Sequence, residues 1–195
     1  MAEFDVRRTA EGELILFHDD YHEDTLIRKS TLQSLRERIP ITTLEELFIW
    51  FSKVPNFKLN LEIKSKSLFN PEMERRICGL IHKYALESRI LISSFNPLSL
   101  YRVKNLNPAI YRALLLTYKK EEGNNWFVTS MMANYLCRPH VLHLRFDDCS
   151  EKFRNISKEV PIVLWTVNDL AIFEKYRSLV HGVISDEITP GQIKN

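Results

Sequence analysis

Two strand-like segments of this chain, ILIS (90–93) and PIVLW (161–165), are continuous apolar runs rather than alternating ones. Strands whose two faces are both covered, as in a parallel sheet, have this pattern. Segments with helical spacing of apolar residues lie between the strand-like segments. Repeated strand–helix alternation predicts an α/β fold, either a (β/α) barrel or an open doubly wound sheet. In both folds the chemistry lies at the carboxyl ends of the strands.

The predicted elements begin with a hairpin and then alternate. FDVRRT (4–9) and ELILFHD (13–19) read as strands on either side of the turn-like AEGE. Thr42 or Thr43 is the expected cap of a first helix, and the Asn-Pro pairs at 70–71 and 96–97 predict two more helix starts, with Asn as cap and Pro as first helical residue. Further strands are predicted at 58–64, 89–95, 109–118, 140–146, 161–168 and 181–187, and helices at 42–54, 70–86, 96–107, within 125–136, from about Cys149 and at 169–179.

Composition narrows the class of protein. The chain has 195 residues with no low-complexity linker, so a single domain over 1–195 is expected. Its 27 Lys+Arg against 25 Asp+Glu give a net charge of +2, too balanced to indicate a nucleic-acid or membrane-surface protein. No apolar run approaches the roughly 18 residues of a transmembrane segment. Three cysteines without a CxxC pair or a secretory leader indicate reduced thiols and a cytoplasmic protein.

Acidic side chains stand on strands that read as buried. Glu3, Asp5 and Arg7 share one face of the first strand, and Glu62 and Lys64 share one face of a later strand. Carboxylates that converge in an interior repel one another unless they have a partner. A divalent cation would remove the conflict, and all-oxygen ligands favour Mg²⁺, Ca²⁺ or Mn²⁺ over zinc. The alternative is a structural network in which the acids pair with Lys64 and Arg7.

Three other polar or aromatic features have ordinary structural explanations. A lone histidine such as His18 is most often structural or on the surface, and the Asp19-Asp20 pair behind it is typical of a loop. Trp165, at the end of an apolar strand, is typical of a core.

Six segments, in this order, resemble the motifs of the glycerophosphodiester phosphodiesterase family. The resemblance covers almost the whole chain. The matching segments are EFDVRRTAEGELILFHD (3–19), ITTLEEL (41–47), LNLEIK (59–64), ISSF (92–95), WTVN (165–168) and GVISD (182–186).

This resemblance implies a TIM barrel and a metal-dependent hydrolase of glycerophosphodiesters that releases glycerol 3-phosphate and an alcohol, as part of glycerol and lipid metabolism. The free glycerol hydroxyl would attack the phosphorus, and water would then open the resulting cyclic phosphate. The implied roles are metal ligands for Glu3, Asp5 and Glu62, with Mg²⁺ or Ca²⁺ as cofactor, acid–base catalysis for His18, phosphate contact for Lys64 and a glycerol-side wall for Trp165.

The start of the chain departs from the family pattern. Family members have a strand ending in His-Arg-Gly and a helix before the Glu-x-Asp strand, whereas only Met1 and Ala2 precede Glu3 here. The barrel is therefore expected to lack its first β/α unit, a second catalytic histidine and a phosphate-binding arginine. A proton-transfer partner contributes about 10² to 10⁴ in rate, so weak activity is expected. Three explanations are open: an incomplete sequence, a homo-oligomer or partner that closes the barrel edge, or a relative that only binds.

Two other function classes compete with the hydrolase. One is a non-catalytic family member that binds a phosphorylated ligand or a partner protein. The other is an unrelated doubly wound phosphatase-like protein, which the strand order would distinguish. The head group of the substrate, the choice between Mg²⁺ and Ca²⁺ and a phospholipase D-like action on lysolipids or sphingolipids are open at this point.

Overall fold

The computed structural model describes residues 1–65, 67–118 and 135–193. The strands are β1 (Ala2–Arg8), β2 (Leu14–Leu16), β3 (Tyr21–His22), β4 (Thr25–Leu26), β5 (Leu59–Ile63), β6 (Ile90–Ser94), β7 (Tyr111–Leu116), β8 (Val141–Arg145), β9 (Ile162–Trp165) and β10 (Gly182–Val183). The α-helices are α1 (Leu32–Arg36), α2 (Leu44–Phe51), α3 (Glu72–Lys83), α4 (Pro97–Leu106), α5 (Ile156–Glu159) and α6 (Leu170–Tyr176).

Strand order decides between the two predicted architectures. The main sheet runs β10-β9-β8-β7-β6-β5-β1-β2, and every neighbouring pair is parallel except β1 with β2. The parallel strands follow chain order across the sheet without a reversal. A doubly wound sheet reverses direction at a switch point, whereas a barrel does not. The barrel expectation is confirmed, with seven parallel strands in the described chain, and the doubly wound alternative is wrong.

Alternating side chains separate the core from the site. On β5, Leu59, Leu61 and Ile63 are buried in the main apolar cluster, together with Phe48 of α2 and Ile77 of α3. The intervening residues of a strand point to the opposite face. This opposite face of β5 carries Asn60 and Glu62. The alternation therefore places the polar side chains on the inner face of the curved sheet and the apolar side chains on the outer face, which the helices cover.

Helix starts follow the predicted capping chemistry closely. Thr43 caps α2 with a complete capping box, in which its side chain accepts from the Glu46 N–H. Asn96 caps α4, and Pro97 is its first helical residue. Helix α3 begins at Glu72, one residue later than expected, although Asn70 Oδ1 still accepts from the Glu72 N–H at 2.9 Å. The fixed φ of Pro71 is compatible with either boundary.

Other boundaries differ from the predictions. The segment after Cys149 forms one 3₁₀ turn, Glu151–Phe153, and the four-residue α5 rather than a long helix. The strand expected over 181–187 is confirmed only at Gly182–Val183. Beyond it, Ile184 still donates to the Leu164 carbonyl at 2.7 Å, and Asn168 Oδ1 accepts from the Asp186 N–H at 3.0 Å. The predictions also missed α1 and the β3–β4 hairpin.

Two further expectations concern the helix predicted within 125–136 and the absence of transmembrane segments. Most of the helix predicted within 125–136 lies outside the described residues, and 135–137 are helical. Within the described ranges, every helix is too short or too polar to cross a membrane.

Candidate active site

Three carboxylates converge inside the sheet. Asp5 of β1 lies directly opposite Glu62 of β5 in the parallel register. Glu3 lies opposite Asn60, two residues earlier on each strand. Oxygen atoms of Glu3, Asp5 and Glu62 lie within 4.8 Å of one another. The i, i+2 spacing on β1 and the parallel register with β5 together create this cluster.

Lys64 connects two of these acids. Its Nζ lies 2.6 Å from Oε1 of Glu62 and 3.0 Å from Oδ1 of Asp5. Arg7, the other cation of the alternative structural network, instead pairs with Asp20 at 2.5 Å and donates two hydrogen bonds to the His18 carbonyl. Among the residues that the structure describes, the cluster therefore has one ammonium partner, and Arg7 supports the loop that carries His18.

The protonation equilibria show an excess of negative charge. Burial, followed by the charges of Asp5 and Glu62, raises the pKa of Glu3 to about 8. Burial also raises the pKa of Glu62, against the opposing charge of Lys64. Burial lowers the pKa of Lys64, but Glu62 and Asp5 outweigh it, and the net shift is upward. One lysine does not neutralise the three acids.

These residues fit a divalent cation. Oε1 of Glu3 is buried and accepts no hydrogen bond from the described part of the chain. The cluster is all-oxygen, which is the donor set that Mg²⁺ and Ca²⁺ take. A cation bound to it would favour the ionised form of Glu3, which the metal-free site disfavours.

His18 lies at the rim of the cavity. Its side chain is 73% exposed, and Nδ1 lies 2.8 Å from Oδ1 of Asp19. A positive charge on His18 is among the influences that lower the pKa of Glu62, which places the ring within electrostatic reach of the cluster. The exposure of the ring agrees with the expectation of a structural or surface histidine, and the same ring also lines the cavity.

An aromatic and aliphatic wall faces the acids. Trp165, at the end of β9, donates from Nε1 to the His143 carbonyl at 3.0 Å. Phe95 packs edge-on against it, with ring centroids 5.5 Å apart. The cavity between the acids and this wall has a volume of about 850 Å³ and brings together Glu3, Asp5, His18, Glu62, Lys64 and Trp165, all the predicted site residues. Its size and mixed lining suit a small polar ligand with an apolar side.

Two acidic residues at the cavity were not among the predicted site residues. Asp20, expected as a loop feature, is the ion-pair partner of Arg7. Asp186 lines the cavity, and its charge contributes to the raised pKa of Glu3. The available signal for Asp186 was its place at the end of a strand, in the GVISD segment. Two polar β8 residues lie behind the cavity lining: His143 is buried, and Arg145, which pairs with Asp147, has its guanidinium 5.8 Å from the centroid of the Trp165 ring.

Comparison with known proteins gives a consistent picture. The model of the glycerophosphoryl diester phosphodiesterase family matches residues 1–189. A glycerophosphodiester phosphodiesterase of Caldanaerobacter subterraneus subsp. tengcongensis is 29% identical, with 95% of this chain and 81% of the relative covered.

Solved structures agree on the fold. The chain is similar to a glycerophosphodiester phosphodiesterase of Thermotoga maritima, with a TM-score of 0.70, 26% identity and coverage of 95% of this chain and 80% of the other. It is also similar to an Oleispira antarctica phosphodiesterase in complex with the product sn-glycerol-3-phosphate, with a TM-score of 0.77, 23% identity and coverage of 94% and 80%. The chain thus belongs to the glycerophosphoryl diester phosphodiesterase family, whose members are hydrolases.

Proposed function

We propose that this chain hydrolyses glycerophosphodiesters to glycerol 3-phosphate and an alcohol, with Mg²⁺ or Ca²⁺ as cofactor. The observation that carries the proposal is the convergence of three carboxylates and Lys64 in a cavity with an aromatic wall. The named product in the Oleispira antarctica relative supports the choice of substrate.

Glu3, Asp5 and Glu62 would hold the cation. A bound divalent cation supplies charge that attracts and polarises the phosphoryl oxygens of the diester. The residues of the chain itself provide positioning: Lys64 is held by Asp5 and Glu62 so that its ammonium faces the cavity that receives the phosphate. A fixed cation there stabilises negative charge that develops on the phosphoryl group.

His18 is the proposed proton carrier. Asp19, at 2.8 Å from Nδ1, favours the tautomer with the proton on that nitrogen. Nε2 is then free to accept a proton from the attacking glycerol hydroxyl or to return one to the leaving oxygen. Trp165 and Phe95 form the wall against which the carbon face of glycerol would pack.

The direct test is release of glycerol 3-phosphate from glycerophosphocholine by the 195-residue chain, with Mg²⁺ or Ca²⁺ and with chelator. We expect metal-dependent release that Glu62→Gln abolishes. Glu37→Gln is the matched control, because Glu37 is exposed and outside the cavity. Ligand binding without any turnover, under every metal condition, would instead support the non-catalytic alternative.

Metal binding has its own readout. A ligand at a hundredfold its Kd stabilises the folded state by about 2.7 kcal/mol, and about 1 kcal/mol shifts Tm by roughly 2–4 °C at this size. We therefore expect a rise in Tm of about 5–10 °C with saturating cation. The rise is lost in Glu62→Gln and kept in Glu37→Gln. A rise that persists in Glu62→Gln would place the cation elsewhere.

The rate is expected to be limited by proton transfer. His18 is the only histidine lining the cavity among the described residues. We propose that turnover improves when a His-Arg-Gly strand and helix are added before Glu3, because a second acid–base group becomes available. Equal kcat with and without the added segment would overturn this.

We propose that a second copy of the chain pairs with the open edge of β1 and so covers this edge of the sheet. In the described chain, β1 pairs with β5 along Ala2–Val6 but with β2 only at Val6–Arg8. The remaining edge can accept another strand. Sedimentation at several protein concentrations tests this: a dimer supports the proposal, and an active monomer contradicts it.

A further inference from the structure

A second cavity of about 580 Å³ adjoins the candidate active site. The two cavities share the lining residues Arg7, Asp20, Lys64 and Ser65. We refer to this second cavity as the side groove. Because Lys64 lies on the boundary, a ligand whose phosphate meets Lys64 can extend into the side groove without leaving the site.

The side groove is strongly cationic. Its lining holds four cations, Arg7, Arg8, Arg28 and Lys64, against the single carboxylate of Asp20. Arg7 is engaged by Asp20, and Lys64 by Glu62 and Asp5. In the described ranges, by contrast, neither Arg8 nor Arg28 forms an ion pair with a carboxylate. Two guanidinium groups are thus available to an incoming anion.

The rest of the groove has the character of a binding site. Ile27 and Met73, both buried, form an apolar floor, and Tyr21, 56% exposed, stands on its wall with a hydroxyl that can donate. Unpaired guanidinium groups over such a floor are suited to phosphate, because the planar fork of arginine donates two parallel hydrogen bonds to phosphate oxygens.

The proposed function determines which part of the substrate would enter the side groove. The aromatic wall of Trp165 and Phe95 lies in the first cavity and is assigned to glycerol. With the scissile phosphate at Lys64, the leaving alcohol extends toward the side groove. We propose that the side groove binds a second phosphate carried by the leaving alcohol, so that Arg8 and Arg28 select diesters with an anionic head group. This inference rests on the proposed function.

The test compares two diesters that differ only in that phosphate, glycerophosphoinositol and glycerophosphoinositol 4-phosphate. We expect kcat/KM of the wild type to favour the phosphorylated diester by at least about tenfold at low ionic strength, with the preference shrinking as salt screens the charges. Arg28→Ala and Arg8→Ala should each lower the ratio of the two kcat/KM values about five- to tenfold. Lys29→Ala is the matched control: it removes a neighbouring exposed cation that does not line the groove, and the ratio should stay as in the wild type.

The outcomes separate the groove from the proposed function. Hydrolysis of both diesters at equal kcat/KM, with no effect of Arg28→Ala, overturns the groove assignment and leaves the hydrolase intact. If neither diester is hydrolysed, the proposed function fails, and calorimetry with the two intact diesters tests the groove alone. Tighter binding of the phosphorylated diester that Arg28→Ala abolishes supports the groove, and equal binding overturns it.

Discussion

The ammonium of Lys64 lies 2.6 Å from a carboxylate oxygen of Glu62, two residues earlier in the chain. The same ammonium lies 3.0 Å from Asp5 of the neighbouring strand. One cation therefore ties β1 to the end of β5 at the point where the two candidate cavities meet. Each change in this cluster has a measurable consequence.

Replacing Lys64 should reduce turnover more than binding of the cofactor. Lys64→Met removes a fixed charge that faces the phosphate, and the loss of one such group typically lowers kcat about 10²- to 10³-fold. The measurement is kcat for glycerophosphocholine with saturating Mg²⁺ or Ca²⁺. Lys53→Met removes an exposed lysine outside both cavities and should keep wild-type kcat. A Lys64→Met enzyme with unchanged kcat would show that Lys64 is purely structural.

Removing the His18 ring should affect proton transfer alone. We expect His18→Ala to lower kcat about 10²- to 10⁴-fold, with little change in Tm because the side chain is 73% exposed. The check is a kcat–pH profile beside a thermal melt. His82→Ala, which alters a histidine 84% exposed on α3, is the control. If the two variants have the same kcat, His18 is not the proton carrier.

The raised pKa of Glu3 predicts a pH-dependent stability in the metal-free protein. The folded state holds this proton up to a pKa of about 8, whereas the unfolded chain releases it near the ordinary glutamate pKa of 4.5. The folded state therefore binds more protons between these values, so Glu3 contributes stability that is complete below pH 4.5 and is lost as the pH rises through 8.

Glu3→Gln should remove this loss. In chelator, we expect the variant to be more stable than the wild type at pH 8, with the difference narrowing toward pH 5. Urea unfolding at several pH values measures it, and Glu37→Gln, at an exposed site, should follow the wild type. With saturating cation the order should reverse, because Gln is a weaker ligand. A constant difference across the pH range would contradict the assignment.

Buried His143 predicts the opposite slope at lower pH. Burial lowers its pKa from 6.5 to about 4, so the folded state disfavours the charged ring. The unfolded chain therefore binds more protons at His143 between pH 6.5 and 4. The stability that the neutral ring contributes is complete above pH 6.5 and is lost as the pH falls through 4. At 1.36 kcal/mol for each pKa unit, the full effect is at most about 3 kcal/mol. His143→Leu should flatten the decline in urea stability between pH 6.5 and 4, and His82→Leu should leave it as in the wild type.

Much of the fold could be read from local patterns. The helix starts at Thr43 and Asn96 and the turn at Gly12, which has φ +96°, depend on interactions among residues near one another in sequence. The continuous apolar strands are recognised from a short stretch of sequence as well, because burial of both faces leaves a local pattern. Local signals failed where distant contacts decide the outcome. Of the strand expected over 181–187 only Gly182–Val183 forms, and the backbone N–H of Asp186 bonds instead to Asn168 of another loop.

In the candidate site, too, some features were predictable from local sequence and others depend on distant contacts. The sequence alone determined that Glu3 and Asp5 share a face of one strand and that Glu62 and Lys64 share a face of another, because side chains alternate with a period of two. Only the tertiary structure decided that these faces meet. The parallel β1–β5 register places Asp5 beside Glu62 and gives both to Lys64, while Arg7 turns to Asp20. The same is true of the side groove, since tertiary packing brings Arg8, at the end of β1, and Arg28, in the 3₁₀ turn Ile27–Lys29, to one cavity, and no spacing along the chain encodes such packing.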